Sequence, residues 1–192
     1  IAFIIFFLNP ISIIITGYHN QFDNLAILIG LIGLILYEKS NKEKIDKMLI
    51  LSATIIGFSL MIKHIFFAIP LFLFIKSKSL RSKLFILIAP VSIFLVSFIP
   101  WALFGGANGI LNNVFLYKSF ANMPLINSLF STDIKYILSA NIVFLTGLLI
   151  TAVTVRKLPA LESGLWYLIV VVIFAPAIAN QYLAIAMPGV SA

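Results

Sequence analysis

The chain has 192 residues, of which 62% are hydrophobic and 10% charged, against the roughly 25% charged expected of a soluble domain. That composition excludes an independent aqueous domain and points to a polytopic membrane protein. With no Cys and two His, disulfides, thiolate metal sites and a Cys nucleophile are excluded, no metal site is expected, and the net charge of +7 reads as topogenic loop charge rather than a nucleic-acid footprint.

Residues 1–16 are apolar throughout, with Asn9-Pro10 inside the run. The missing backbone donor at Pro10 predicts a kink or a restart of the helix. The sequence opens at Ile1 inside an apolar run, without Met or the basic flank of a signal peptide, so it reads as a single transmembrane domain over residues 1–192, internal to a longer membrane protein. Residues 17–23, GYHNQFD, then gather an imidazole, two amides and a carboxylate between two apolar helices. Such groups are costly in hydrocarbon and must face water, protein or a ligand head group. A second apolar helix is predicted over residues 25–37, where Ala26, Gly30 and Gly33 permit close approach to a neighbour.

Three basic spots follow: residues 38–47 (EKSNKEKIDK), residues 76–83 (KSKSLRSK) and Arg156-Lys157. Basic loops stay cytoplasmic, whereas residues 17–23 and 101–133 hold only Asp23, Lys118 and Asp133 as formal charges and fit the outer side. Residues 48–75 must then cross an even number of times, yet 28 residues are too few for two full spans of about 20 each. Two short helices meeting near Lys63-His64, with both side chains facing a cavity, satisfy the two constraints. A single tilted span with one basic loop misplaced is the rival.

Residues 84–104 return to the outer face, with kinks expected at Pro90 and Pro100 and Trp101 placed as in an aromatic belt. Within residues 105–135, Ile110, Val114, Tyr117 and Ala121 fall on one helical face and Asn112 and Ser119 on the other, which predicts a helix lying in the interface. Spans over residues 136–155 and 161–175 come next, the latter stopped by Pro176. A second outer-side break over residues 177–181 leads into a returning helix from Tyr182. The expected fold class is all-α, a polytopic transmembrane helical bundle with short broken helices and an outer-face interfacial helix.

The sequence carries no glycine-rich nucleotide loop, no HExxH and no GxSxG. Polar side chains instead collect at the expected outer helix ends: His19, Gln21 and Asp23; Lys63 and His64; Asn180, Gln181 and Tyr182. Asp23 alone reads as a helix cap, while His19 and Gln21 beside it add donors and acceptors of the kind that grip sugar hydroxyls or phosphate. Lys63 reads either as a snorkelling side chain or as a cation for an anionic head group, with a phosphate supplying its counter-charge. Gln181 and Tyr182 fit an interfacial Tyr with a turn amide.

The stretch NPISIIITGYHNQFDNLAI resembles the membrane segment of GT-C superfamily glycosyltransferases, especially the lipid-linked glucosyl- and mannosyltransferases of asparagine-linked glycosylation and their prokaryotic relatives. GFSLMIKHIFFAIPLFLF, FGGANGILNNVFLYKSFAN and APAIANQYLAIAMP resemble, in the same order, the family's short paired helices, its outer-face amphipathic segment and its late Gln-Tyr turn. The likeness covers most of the chain, although Asn20 stands where relatives commonly carry Gly. It implies a multi-span enzyme that moves mannose or glucose from a polyprenyl-phosphate donor to a glycan or lipid acceptor on the outer or lumenal face, needing no cofactor in this portion. It also implies His19, Gln21 and Asp23 as sugar or acceptor contacts, Lys63 and His64 as donor-phosphate contacts, and Gln181 and Tyr182 as further substrate contacts. The family's catalytic acid lies in an outer loop expected upstream of Ile1, which leaves Asp23 as a minor candidate for the base. The membrane would be the plasma membrane of a prokaryote or the endoplasmic reticulum of a eukaryote. A secondary transporter or lipid-linked sugar flippase is the alternative, because broken helices and intramembrane Lys or His also mark transport paths. A structural or assembly subunit is the third class.

Overall fold

The computed structural model describes residues 23–116, 140–175 and residue 185, and among these there is no strand. The all-α expectation holds for them. The first helix, α1 (Asp23–Glu38), buries Ala26, Ile27, Gly30, Gly33, Leu34 and Tyr37 on one face. Leu25, Leu28, Ile32 and Ile35 stay exposed on the other, so apolar side chains cover both faces while Ala26, Gly30 and Gly33 all lie on the inner one. The small residues on the inner face let backbones approach closely. The expected role of the small residues is met: a Cβ at Gly30 would overlap the Phe66 ring, and one at Gly33 would lie 2.6 Å from Ile56.

Helix α2 (Lys47–Ile62) starts at Asp46, whose carboxylate accepts from the Leu49 amide at 2.8 Å and, across the loop, from the Asn41 amide at 2.8 Å. It runs antiparallel to α1. Two buried hydroxyls fix the register, with Ser52 donating to the Gly33 carbonyl at 2.8 Å and Ser59 to the Ala26 carbonyl at 2.7 Å. At Lys63 the backbone turns extended (φ −158°, ψ 130°), and one 3-10 turn (His64–Phe66) leads to α3 (Ile69–Lys76), which carries Pro70 in its first turn. Pro70 offers no amide and its ring crowds the carbonyl four residues back, which suits the first turn of a new helix better than the interior of a continuing one.

Helix α3 brings the chain back to where α2 began. The Lys78 amide donates to the Lys42 carbonyl at 2.9 Å, and Tyr37 donates to the Leu73 carbonyl at 3.1 Å. Residues 48–75 therefore fold out and back with a break at Lys63-His64, which brings the two lysine-rich loops to the same end of the bundle. At about 1.5 Å per residue α2 is about 24 Å long, short of the roughly 30 Å of a hydrocarbon core.

Helix α4 (Leu80–Val96) begins at Ser79, which accepts from the Ser82 amide at 3.1 Å, and holds Pro90 inside it. Helical turns continue to Phe115, and Leu80–Phe115 is the one helix among the described residues that is long and apolar enough to cross a membrane, with a mean hydropathy of 2.3 over its best window. Gly105, at φ 87°, bends the path in a conformation that favours glycine. The bend returns Phe115 to Phe94 and Phe98, at ring distances of 6.4 and 5.9 Å. Of the interfacial helix expected here, Ala107–Ile110 is helical and Leu111–Phe115 is a wider turn. Ile110 and Val114 are half-buried while Asn112 is exposed; Tyr117, Ser119 and Ala121 lie outside the described residues.

Helices α5 (Ala140–Thr154) and α6 (Ala160–Phe174) form a second hairpin, with Phe174 packed over Gly147. Its turn docks on the first. Lys76 donates to the Val155 and Arg156 carbonyls at 3.0 Å each, covering the end of α5, and Glu38 accepts from the Ala160 amide at 2.6 Å, covering the start of α6. Cation at a helix C-terminus and anion at an N-terminus both oppose the helix dipoles. All three basic spots thus meet at one end of the bundle.

Candidate functional site

The opposite end holds Asp23, Lys63 and His64. Asp23 opens α1 and is 1% exposed, while Lys63 occupies the break after α2, its side chain 29% exposed. The antiparallel hairpin carries both to the same height, and the carboxylate and ammonium form an ion pair. This corrects two expectations. Asp23 does not cap α1: its carboxylate oxygens accept no hydrogen bond from a helix amide, and the ion pair with Lys63 takes that place. The counter-charge that a phosphate would supply in one of the two sequence readings of Lys63 is already present in the protein as Asp23.

The strand-like turn at Lys63 is held from both sides. Its amide donates to the Ser59 carbonyl at 3.0 Å. Tyr167 of α6, fully buried, donates to the Ile65 carbonyl at 2.6 Å and accepts from the Ala68 amide at 3.5 Å. Its ring stacks on Phe66 at 5.9 Å and meets Phe72 edge-on at 5.4 Å. The Tyr167 contacts position the residues that follow Lys63 rather than Lys63 itself. Sequence reasoning missed Tyr167, although Ser163, Gly164 and Tyr167 recur at helical spacing as a small or polar stripe inside an apolar run.

His64 is exposed and lies beside Phe94, ring centres 6.4 Å apart. Phe94, Phe98 and Phe115 form a three-ring cluster there, the closest pair at 5.0 Å. The arrangement places a carboxylate-anchored ammonium, an accessible imidazole and an apolar aromatic wall side by side. A head group bearing negative charge on an apolar tail matches that combination, the charge meeting Lys63 and His64 and the tail the phenylalanines. Of the other residues singled out from sequence, His19, Gln21, Gln181 and Tyr182 lie outside the described residues. Among the described residues no group of three or more His, Asp or Glu is placed to hold a metal ion.

Compared with protein families, curated proteins and solved structures, the chain matches no family model, no curated protein and no solved structure.

Proposed function

We propose that this chain is the multi-pass membrane portion of a glycosyltransferase that moves a hexose from a polyprenyl-phosphate donor to a glycan or lipid acceptor at the Asp23–Lys63 end. The observation that carries the reading is the buried Asp23 carboxylate holding the partly exposed Lys63 at the end opposite the basic loops. An ion pair in an apolar bundle costs more to desolvate than most packing alternatives, so its presence there points to use. Multi-pass embedding is supported by the exposed apolar faces. Only 11% of the most apolar window of Leu80–Phe115 is buried, whereas a soluble core helix of that hydropathy would be covered.

In this reading the anomeric carbon of the donor loses its bond to the phosphate oxygen, which keeps the electron pair. The acceptor oxygen forms the new bond as its proton passes to a base. Lys63, steered by Asp23, faces the charge that grows on the departing phosphate, and a preorganised donor of this kind acts mainly at that moment. His64 adds a second donor, and Phe94, Phe98 and Phe115 receive the first isoprene units. The general base is unassigned within residues 1–192; Asp23 remains the minor candidate, and would have to release Lys63 to take a proton. The test is transfer by the full-length protein reconstituted with labelled polyprenyl-phosphate mannose or glucose and a lipid acceptor. Lys63→Gln is expected to lower kcat/KM at least about a hundredfold, the scale of losing one charge-stabilising donor. A wild-type protein that neither binds nor turns over the donor would refute the reading.

One observation favours a second reading. Because Asp23 already neutralises Lys63, the site is electrically complete without a phosphate, as in a transporter or lipid-linked sugar flippase whose pair opens during the cycle. Substrate flux in proteoliposomes without chemical change would select it.

A further inference from the structure

The basic end contains a cleft of about 260 Å³ lined by Glu38, Lys42, Lys76, Arg156, Lys157, Leu158 and Pro159. Four of these side chains are cationic and one is acidic, but they are not equally engaged. The Lys76 ammonium is committed to the Val155, Arg156 and Leu158 carbonyls. Glu38 spends one carboxylate oxygen on the Ala160 amide at 2.6 Å and the other on Lys42 at 3.4 Å. Arg156 and Lys157 are exposed, and no hydrogen bond or ion pair joins their side chains to the described residues. The single acid is therefore used up by the fold while cationic donors remain turned to an open cleft. A volume below the roughly 300–1,000 Å³ of drug-sized pockets fits a small head group rather than an extended ligand.

We propose that this cleft binds a phosphate group, through Arg156 and Lys157 with Lys42 at its rim. A phosphate matches the forked guanidinium and the two ammonium groups, and it offsets the net positive charge of the lining. The nearest source is an acidic phospholipid, because the cleft opens between helix ends of a bundle whose sides are apolar, the usual setting for basic pockets that take anionic head groups. A soluble phosphate is the other source. The site is separate from the glycosyl-transfer reading: it lies at the other end of α1 and α2, and its ligand is held rather than consumed.

The test uses the purified full-length protein in a zwitterionic detergent, with bound lipid read by native mass spectrometry after adding phosphatidylglycerol or phosphatidylcholine, and inorganic phosphate titrated separately by calorimetry. The proposal expects phosphatidylglycerol to be held at least about tenfold more tightly than phosphatidylcholine, and Arg156→Gln/Lys157→Gln to abolish that preference. Lys44→Gln/Arg81→Gln, which removes the same charge outside the cleft, should change it less than about twofold. Inorganic phosphate bound by wild type and lost in the Arg156→Gln/Lys157→Gln protein, with no lipid preference, assigns the site to a soluble phosphate instead. Equal losses in both double variants, or no binding of either probe, overturn the proposal. Should the double variant melt at a lower temperature than wild type, Lys157→Glu alone serves as the reading variant, with the same outcomes.

Discussion

Glu43 and Lys78 meet at 2.9 Å with about two thirds of each side chain in solvent, whereas Asp23 meets Lys63 with its carboxylate almost wholly covered. The first pair ties two loops that already lie together, and either charge can be hydrated if the other is lost. The second pair has no such recourse. A buried carboxylate stripped of its cation must find a proton or drag water inward. The same chemistry, one acid and one lysine, is thus weakly consequential at one end of the bundle and strongly consequential at the other, and the difference is solvent access rather than distance.

The comparison breaks most visibly at Lys63. Lys63→Met should destabilise the fold by about 3–5 kcal/mol in reversible unfolding from mixed micelles, because Asp23 is left uncompensated. Asp23→Asn/Lys63→Met should recover most of that loss. Additive effects in the two single variants and the double would show that the pair carries no coupling. Next in size is Tyr167→Phe, which removes the hydroxyl between the Ile65 carbonyl and the Ala68 amide. A loss of about 1–2 kcal/mol is expected, with faster amide exchange confined to the turn after Lys63. Uniform exchange throughout the bundle would place the role of Tyr167 in general packing instead.

Effects at the basic end should be smaller. The amides of Asn41 and Leu49 hold the Asp46 carboxyl below its ordinary 3.8, so its contribution is complete above that value and fades as pH falls through the lowered one. Asp46→Ala should cost about 1 kcal/mol near neutral pH and flatten that acid limb of the stability profile. An unchanged acid limb would mean other carboxylates dominate it. Smallest of all, Glu43→Gln should leave the thermal midpoint within measurement error. A large drop there would erase the contrast between the two ends.

Much of this arrangement was legible in the sequence because it follows from where charge can go. The lysine-rich runs at residues 38–47 and 76–83 demanded a common side, and that demand forced the out-and-back path and its break at Lys63-His64. Ala26, Gly30 and Gly33 likewise announced a close helix contact, since small side chains on one stripe have little other use. Asp23 was misread because the local rule sees an acid before an apolar run and supplies a cap. Its true partner lies across a hairpin, and only the register shows it: Asp23 and Lys63 are equally far along the chain from Glu43 in the connecting loop. The capping of α5 and α6 by Lys76 and Glu38 was hidden for the same reason, as helix ends remote in sequence announce no partner. Tyr167 was overlooked because a single hydroxyl in an apolar helix looks like an interfacial aromatic until its acceptor is known.

In this reading the two charged ends lie on opposite faces of a membrane, and residues 1–192 contribute no Cys, so a background freed of any Cys elsewhere in the full-length protein makes this directly measurable. Single cysteines placed at Lys44, Lys78, Lys157 and His64 of the full-length protein in sealed vesicles can be challenged with a membrane-impermeant thiol reagent from either side. The account predicts that the first three are modified from one side and position 64 from the other only. Modification of position 78 from the side opposite to 44, or of position 64 from the same side as the three lysine positions, would contradict it.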